Sequence, residues 1–247
     1  MKILPFIFSL STLVLLEWFI IQPTYLLIAL GLIILLQLII AWILKLSAGA
    51  GWWRFAILPV LASVVVSAYL SLLVNNWLIQ ILVIFLAVFN FVYWRLVYLY
   101  LTKSSRYISF SLENLSFYIN FIIIFFLGSV AYGLRLFLSA DPLWLGIMIA
   151  VLSGLVIYQL MWVSKKDRAT WPYWLAIWLV LLEAFYIFML LPLDYNLLGF
   201  FWASFYYVIV SLLNDQLSAK LNKTKIKLYL TLITASWLIL LITARWL

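Results

Sequence analysis

The chain contains no cysteine and no histidine. Without cysteine it forms no disulfide and offers no thiolate nucleophile or iron–sulfur ligand. Without histidine it lacks the commonest general base and the usual ligand of haem and zinc. These absences exclude a serine–histidine intramembrane protease, a histidine-ligated haem protein and a zinc-dependent lipid hydrolase. Carboxylates are the only strong metal ligands left, and the sequence predicts neither a metal site nor a cofactor.

Charged residues are scarce as well, at 9% of 247 residues against 69% apolar residues. A water-soluble protein of this size needs a polar shell, which this composition does not supply. We therefore expect an integral membrane protein with almost no soluble part. The formal charge is +8, but the basic residues stand at the ends of apolar runs. That placement is typical of orientation signals and contacts with anionic lipid, and it predicts no nucleic-acid binding.

About nine apolar runs follow one another, each close to the roughly 20 residues that cross a bilayer as a helix. The joints between them are too short for a separate globular domain. The sequence thus predicts an all-α fold, a polytopic transmembrane helical bundle that forms a single domain over residues 1–247. The predicted spans cover about residues 3–22, 25–46, 55–74, 77–101, 112–138, 142–163, 171–191, 197–213 and 228–244.

Basic residues alternate between the two ends of these spans. Of the fifteen, thirteen fall on one face, and only Arg135 and Arg245 fall on the other, beside Asp141 and Asp194. The positive-inside rule makes the basic face cytoplasmic, so the N-terminus is predicted inside and the C-terminus outside the cell membrane. The thirteen are Lys2, Lys45, Arg54, Arg95, Lys103, Arg106, Lys165, Lys166, Arg168, Lys220, Lys223, Lys225 and Lys227.

Two carboxylates lie deep inside predicted spans. At about 1.5 Å per residue, Glu17 is roughly 20 Å and Glu183 roughly 17 Å from the cytoplasmic end of its own span. An ionised carboxylate at that depth costs several kcal/mol, so such residues usually face the bundle and often mark a proton or ion path. Glu17 and Glu183 are the candidate proton, ion or ligand residues. The alternative is that each carboxylate locks two helices together.

Other polar residues stand inside the apolar runs. Gln37, Asn90 and Asn120 are predicted to hydrogen-bond across helices, which is commoner than ligand contact. Arg95 and Glu113 both approach the cytoplasmic interface, where we expect an ion pair between them. A weaker polar stripe on the eighth span borders either a hydrated path or a neighbouring helix. The stripe consists of Ser204, Tyr207, Ser211 and Asp215.

Small and aromatic residues add packing signals. Gly146, Ala150 and Gly154 recur every four residues, a spacing that lets helices approach closely. The seventh and eighth spans are dense in aromatic residues, which form either a lipid-binding groove or, more commonly, a bulky core.

Two functional hypotheses follow from these features. The first is a non-enzymatic membrane subunit, scaffold or assembly component whose partners are membrane lipid and other membrane protein subunits. The second is a proton- or ion-coupled carrier or lipid-handling protein that uses Glu17 and Glu183. An enzyme ranks below both, because no catalytic motif is present and only carboxylates and hydroxyls are available as catalysts.

Overall fold

A computed structural model describes residues 3–45, 53–102, 107–108, 110–163, 170–219 and 221–244. Over those residues the chain is all-helical, with nine α-helices and no strand, as the apolar runs predict. All nine are long and apolar enough to cross a membrane. The helices are α1 (Leu4–Ile21), α2 (Leu26–Lys45), α3 (Trp53–Leu70), α4 (Asn76–Thr102), α5 (Ser111–Leu138), α6 (Pro142–Val163), α7 (Trp171–Met189), α8 (Tyr195–Leu217) and α9 (Lys223–Thr243), with a 3₁₀ turn at Pro23–Tyr25 between the first two.

Several of these helices begin at a capping side chain. An amide or carboxylate oxygen accepts a backbone N–H that the first turn of a helix leaves unpaired. The caps bond two or three residues ahead, at 2.7–2.9 Å. They are Asn75 for α4, Asp141 for α6, Asp194 for α8 and Asn222 for α9. In α6 the cap is followed by Pro142 at the first helical position, which needs no N–H.

Some helix boundaries differ from the predicted span boundaries. In α8 and α9 the helix continues through polar residues beyond its apolar part. The last helix starts at Lys223 rather than near residue 228, because Asn222 caps it there. The preceding helix continues to Leu217 instead of ending near residue 213. In the opposite sense, α3 ends at Leu70, four residues before the predicted end. Hydropathy locates the apolar stretch, whereas hydrogen bonding at the termini sets the length of the helix.

Residue contacts divide the chain into two compact units, and each is described here by itself. The first comprises Met1–Asn120 and Trp162–Ser164, and the second Phe121–Met161 and Lys165–Leu247. In the first unit α1 packs against α2 and α4, and α3 packs against α2 and α4. Its core contains fully buried aliphatic residues, among them Ile33, Leu58 and Val83, and fully buried aromatic ones, among them Tyr93 and Trp94. The single domain over residues 1–247 stays a prediction.

In the second unit α7 packs on α8 and α8 on α9, while α5 and α8 meet at two glycines. A Cβ atom on Gly199 would lie 2.7 Å from the backbone nitrogen of Ser129 and 2.9 Å from the carbonyl oxygen of Phe125. A Cβ on Gly128 would lie 3.2 Å from the Cα of Gly199. Only the absence of side chains at both positions allows the two backbones to come this close.

The small residues of α6 accommodate bulky side chains from α7. Gly146 lies against the hydroxyl end of Tyr186, and Gly154 lies against the indole of Trp178. The indole N–H of Trp178 also donates to the carbonyl of Ala150 at 3.0 Å. The spacing of small residues therefore marks where aromatic side chains enter the helix interface.

Candidate functional site

Gln37, Asn90 and Trp94 form a buried polar network in the first unit. The indole Nε1 of Trp94 donates to Gln37 Oε1, and Gln37 Nε2 donates to Asn90 Oδ1 at 3.0 Å. All three side chains are at most 2% exposed. Asn90 and Trp94 are one turn apart on α4 and both reach Gln37 on α2. Both heteroatoms of the Gln37 amide are therefore satisfied within the helix interface.

A second set of polar contacts joins α1 to α4. Glu17 is half-buried, and its Oε2 accepts a hydrogen bond from Gln80 Nε2 at 3.3 Å. Two turns away along α4, the hydroxyl of Ser9 donates to the carbonyl oxygen of Ala87. Glu17 thus contacts a neutral amide of the same unit. This contact holds the two helices in register and leaves the carboxylate without a described charged partner.

Gln80 and Trp94 also belong to these networks, although neither was predicted from the amino-acid sequence. Their positions carried a usable signal, because Trp94 follows Asn90 by four residues and Gln80 by fourteen. At about 100° per residue, each interval returns to within about 40° of the same face of an α-helix. One stripe of α4 therefore supplies the partners of both Glu17 and Gln37.

The chemistry available to the Gln37–Asn90–Trp94 network is hydrogen bonding alone. Amides and an indole provide donors and acceptors but no base or nucleophile at neutral pH. Asn90 Nδ2 is buried and has no hydrogen-bond partner among the described residues. Within those residues no three carboxylates stand close enough to hold a metal ion. The arrangement favours interhelical contact over ligand chemistry.

Glu183, unlike the half-buried Glu17, is exposed. It lies on α7, three residues past the middle of the helix and so about 4.5 Å from that midpoint along the axis. Its neighbours at helical spacing are exposed as well, with exposed fractions of 41–61%. These neighbours are Leu179, Val180, Tyr186 and Ile187. No described residue forms a hydrogen bond or ion pair with its carboxylate. Glu17 lies in the first unit and Glu183 in the second.

The polar stripe of α8 makes contacts within the second unit. Ser204 accepts a hydrogen bond from the indole of Trp237 on α9 at 2.7 Å and donates to the Phe201 carbonyl at 2.9 Å. Tyr207 packs edge-on against Phe121, with ring centroids 6.0 Å apart, and Ser211 is buried. At Ser204 the stripe therefore joins two helices.

Aromatic side chains of α7 and α8 pack on one another and on their neighbours. The ring of Phe185 stacks on Tyr132 at 4.9 Å and meets Trp202 edge-on at 5.7 Å. The ring of Trp237 lies 5.2 Å from Phe201. Phe185, Trp202 and Tyr132 are at most 2% exposed. These rings form a core.

Arg95 and Glu113 each contact a different neighbour. The guanidinium of Arg95 lies 5.9 Å from the ring centroid of Phe91, and Glu113 accepts a hydrogen bond from the Tyr107 hydroxyl at 3.1 Å. Burial, and then the charge of Glu113, raise the pKa of Tyr107 above its usual range. The ion pair between Arg95 and Glu113 stays a prediction. The remaining candidate, Asn120, is fully buried.

Eight basic residues used for the predicted topology lie outside the described residues. Among those described, Lys225 forms an ion pair with Asp215 at 3.0 Å, joining the end of α8 to the start of α9. The eight are Lys2, Lys103, Arg106, Lys165, Lys166, Arg168, Lys220 and Arg245.

Comparison with protein-family models, with curated proteins and with solved structures finds no match to this chain.

Proposed function

We propose that this chain is a multi-pass protein of the cell membrane that acts as a non-enzymatic subunit, scaffold or assembly component. Within the part of the chain that the structure describes, nine helices of sufficient length and apolarity support the membrane location. The basic residues support an N-terminus in the cytoplasm and a C-terminus outside. Lys45 ends α2, Arg54 stands in the first turn of α3 and Lys223 begins α9, all on the face assigned to the cytoplasm. Arg135, near the end of α5, is on the opposite face.

The observation that carries the proposal is the contrast between the two intramembrane carboxylates. Glu17 bonds to Gln80 inside the first unit, whereas Glu183 is exposed in the middle of an apolar helix face. A charged group facing hydrocarbon costs several kcal/mol. A partner that covers the carboxylate and supplies a donor removes that cost. Charge complementarity therefore supports a transmembrane helix of another chain that carries a lysine or arginine opposite Glu183.

The test is co-purification of the full chain in mild detergent, followed by native mass spectrometry. We expect one membrane protein in fixed stoichiometry with the wild type. Glu183→Gln keeps the side-chain volume but removes the charge, so we expect retention of that protein to fall by about tenfold or more. Glu17→Gln is the matched control, because it changes the other intramembrane carboxylate and should keep the partner.

Position-specific crosslinking also tests whether the partner contacts the α7 face that carries Glu183, and its result does not depend on how tightly the partner is retained during purification. A photoreactive residue in place of Ile187 on the Glu183 face should crosslink to the co-purifying chain. One in place of Leu35, an exposed residue on α2, should not. Equal crosslinking from both positions, or equal partner retention in both carboxylate variants, argues against the α7 face as the contact.

The alternative function is a proton- or ion-coupled carrier or lipid-handling protein. The observation that favours it is the half-buried Glu17 carboxylate, whose Oε2 is held by an uncharged amide. A carboxylate inside a membrane-spanning helix often marks a proton or ion path. In reconstituted vesicles, pH-dependent flux that Glu17→Gln abolishes while the fold is retained would favour the carrier. Unchanged flux in both Glu17→Gln and Glu183→Gln removes it.

A further inference from the structure

A groove of about 410 Å³ opens in the second unit where α5 ends and α8 begins. Its polar wall contains Arg135, Ser139 and Tyr195, and its apolar wall includes Met189 and Pro192. Tyr132 also lines the groove, but its hydroxyl donates to the carbonyl of Phe185 at 3.0 Å. We name it the Arg135 groove. A site with one cation, several hydroxyls and an apolar side matches an amphiphile better than a small polar solute.

Local backbone geometry places the polar groups at the rim of this groove. The chain leaves α5 through Ser139, whose φ of 51° is in the left-handed region, and the N–H of Ala140 turns back to the carbonyl of Leu134 at 3.3 Å. The guanidinium of Arg135 bonds to this turn: its Nη1 donates to the carbonyl of Ala140 at 3.0 Å. That bond orients the side chain at the helix end.

The Arg135 guanidinium keeps further donors for a ligand. Nη1 is used by Ala140, and no other described residue bonds to the group, so Nε and Nη2 remain. A planar guanidinium presents such donors in a geometry that matches the oxygens of a phosphate. The side chain is exposed, so a ligand reaches it from outside the unit.

The apolar wall of the Arg135 groove is suited to the hydrocarbon end of an amphiphilic ligand. Met189 ends α7, Leu191, Pro192 and Leu193 lie just beyond it, and all four line the same groove as Arg135. A phosphodiester bound to Arg135 would therefore bring an attached hydrocarbon chain against this segment.

Two carboxylates near the groove restrict the net charge that a bound ligand can carry. Asp141 and Asp194 cap α6 and α8 through one oxygen each, and Asp194 lies between two groove residues, Leu193 and Tyr195. With one cation and two carboxylates, this region disfavours a multiply anionic ligand. It is compatible with a phosphodiester that also carries an ammonium group, which the carboxylates would attract.

From this combination we propose that the Arg135 groove binds a zwitterionic phospholipid through its phosphate. The proposal rests on the membrane location in the proposed function but not on the subunit role. A failed lipid test therefore leaves the co-purification result of Glu183→Gln unaffected.

The experiment titrates the delipidated full chain in detergent with phosphatidylethanolamine and counts bound lipid by native mass spectrometry. We expect Arg135→Gln to weaken binding by about tenfold, the scale of one lost charge-assisted contact. Arg95→Gln is the matched control, because Arg95 is also exposed but contacts Phe91 in the first unit. Met189→Trp fills the groove while leaving Arg135 in place, and it should weaken binding similarly.

Three outcomes overturn the assignment. Wild-type affinity in both Arg135→Gln and Met189→Trp shows that the lipid binds elsewhere. An equal loss in Arg135→Gln and Arg95→Gln shows a general effect of charge. Displacement of the lipid by inorganic phosphate at equal concentration shows a site for free phosphate. Loss in both groove variants with the control unchanged supports the phospholipid site.

Discussion

The side chain of Gln37 on α2 donates from Nε2 to Oδ1 of Asn90 on α4 at 3.0 Å, and both residues are at most 2% exposed. Since Trp94 donates to the other end of the same amide, removal of one member leaves a buried polar group without its partner. An unpaired buried group costs more than a hydrogen bond contributes when made. In this network, the loss of stability from a double substitution should therefore differ from the sum of the losses from the two single substitutions.

We predict non-additive effects at this pair. Asn90→Leu and Gln37→Leu should each lower the free energy of unfolding by about 1 kcal/mol, within the range found for membrane-protein hydrogen bonds. The double variant should lose less than the sum, because no unpaired amide remains at the contact. Thermal unfolding in detergent measures this. Asn114→Leu, at an exposed position of α5, is the control and should have little effect. Additive losses would contradict an energetic coupling of Gln37 and Asn90.

We predict that Gly199→Ala destabilises the second unit. The added methyl meets the backbone at Ser129 and Phe125, within 3 Å, and backbone atoms do not move aside as a flexible side chain does. Overpacking of this kind costs about 1–3 kcal/mol. Gly31→Ala is the matched control, because a Cβ there meets nothing within 4 Å. Thermal midpoints should fall for Gly199→Ala and stay equal or rise slightly for Gly31→Ala; the reverse order would refute a close α5–α8 contact.

We predict opposite stability effects for leucine at the two carboxylates. Glu183→Leu replaces an exposed carboxylate on an apolar face, so the isolated chain in detergent should be equally or more stable. Glu17→Leu leaves the amide of Gln80 without its described acceptor and should cost about 1 kcal/mol. Thermal unfolding of the purified variants distinguishes them. A larger loss for Glu183→Leu than for Glu17→Leu would mean that Glu183 has a structural role inside the chain.

We predict that the joints after α3 and after α8 lie on opposite sides of the membrane. The chain has no cysteine, so Asn76→Cys and Ser218→Cys each introduce a single thiol at an exposed position. A membrane-impermeant maleimide added to intact cells should label residue 76 at once and residue 218 only after permeabilisation. Labelling of both from the same side would invalidate the helix count or the predicted orientation.

The all-helical class and the long apolar helices found among the described residues were predicted from the amino-acid sequence, as was the start of α6 at residue 142. Periodic apolar runs of near-bilayer length leave the backbone few alternatives to a helix. Asp141 followed by Pro142 marks a start whose physical cause is local. Asp194 caps α8 at Tyr195, two residues before the predicted start of that span. Identification of Gln37 and Asn90 as interhelical residues also followed from their burial in apolar runs.

Which side chains meet depends on how the helices pack in three dimensions. Gln80 and Trp94 are ordinary residues in the chain, and they become polar partners because α4 turns one face toward both α1 and α2. Glu17 and Glu183 look alike in sequence, yet one is held by an amide and the other is exposed. The physical reason is that hydropathy records the composition of a helix. The partner of each face depends on contacts between residues far apart in the chain, which composition does not encode.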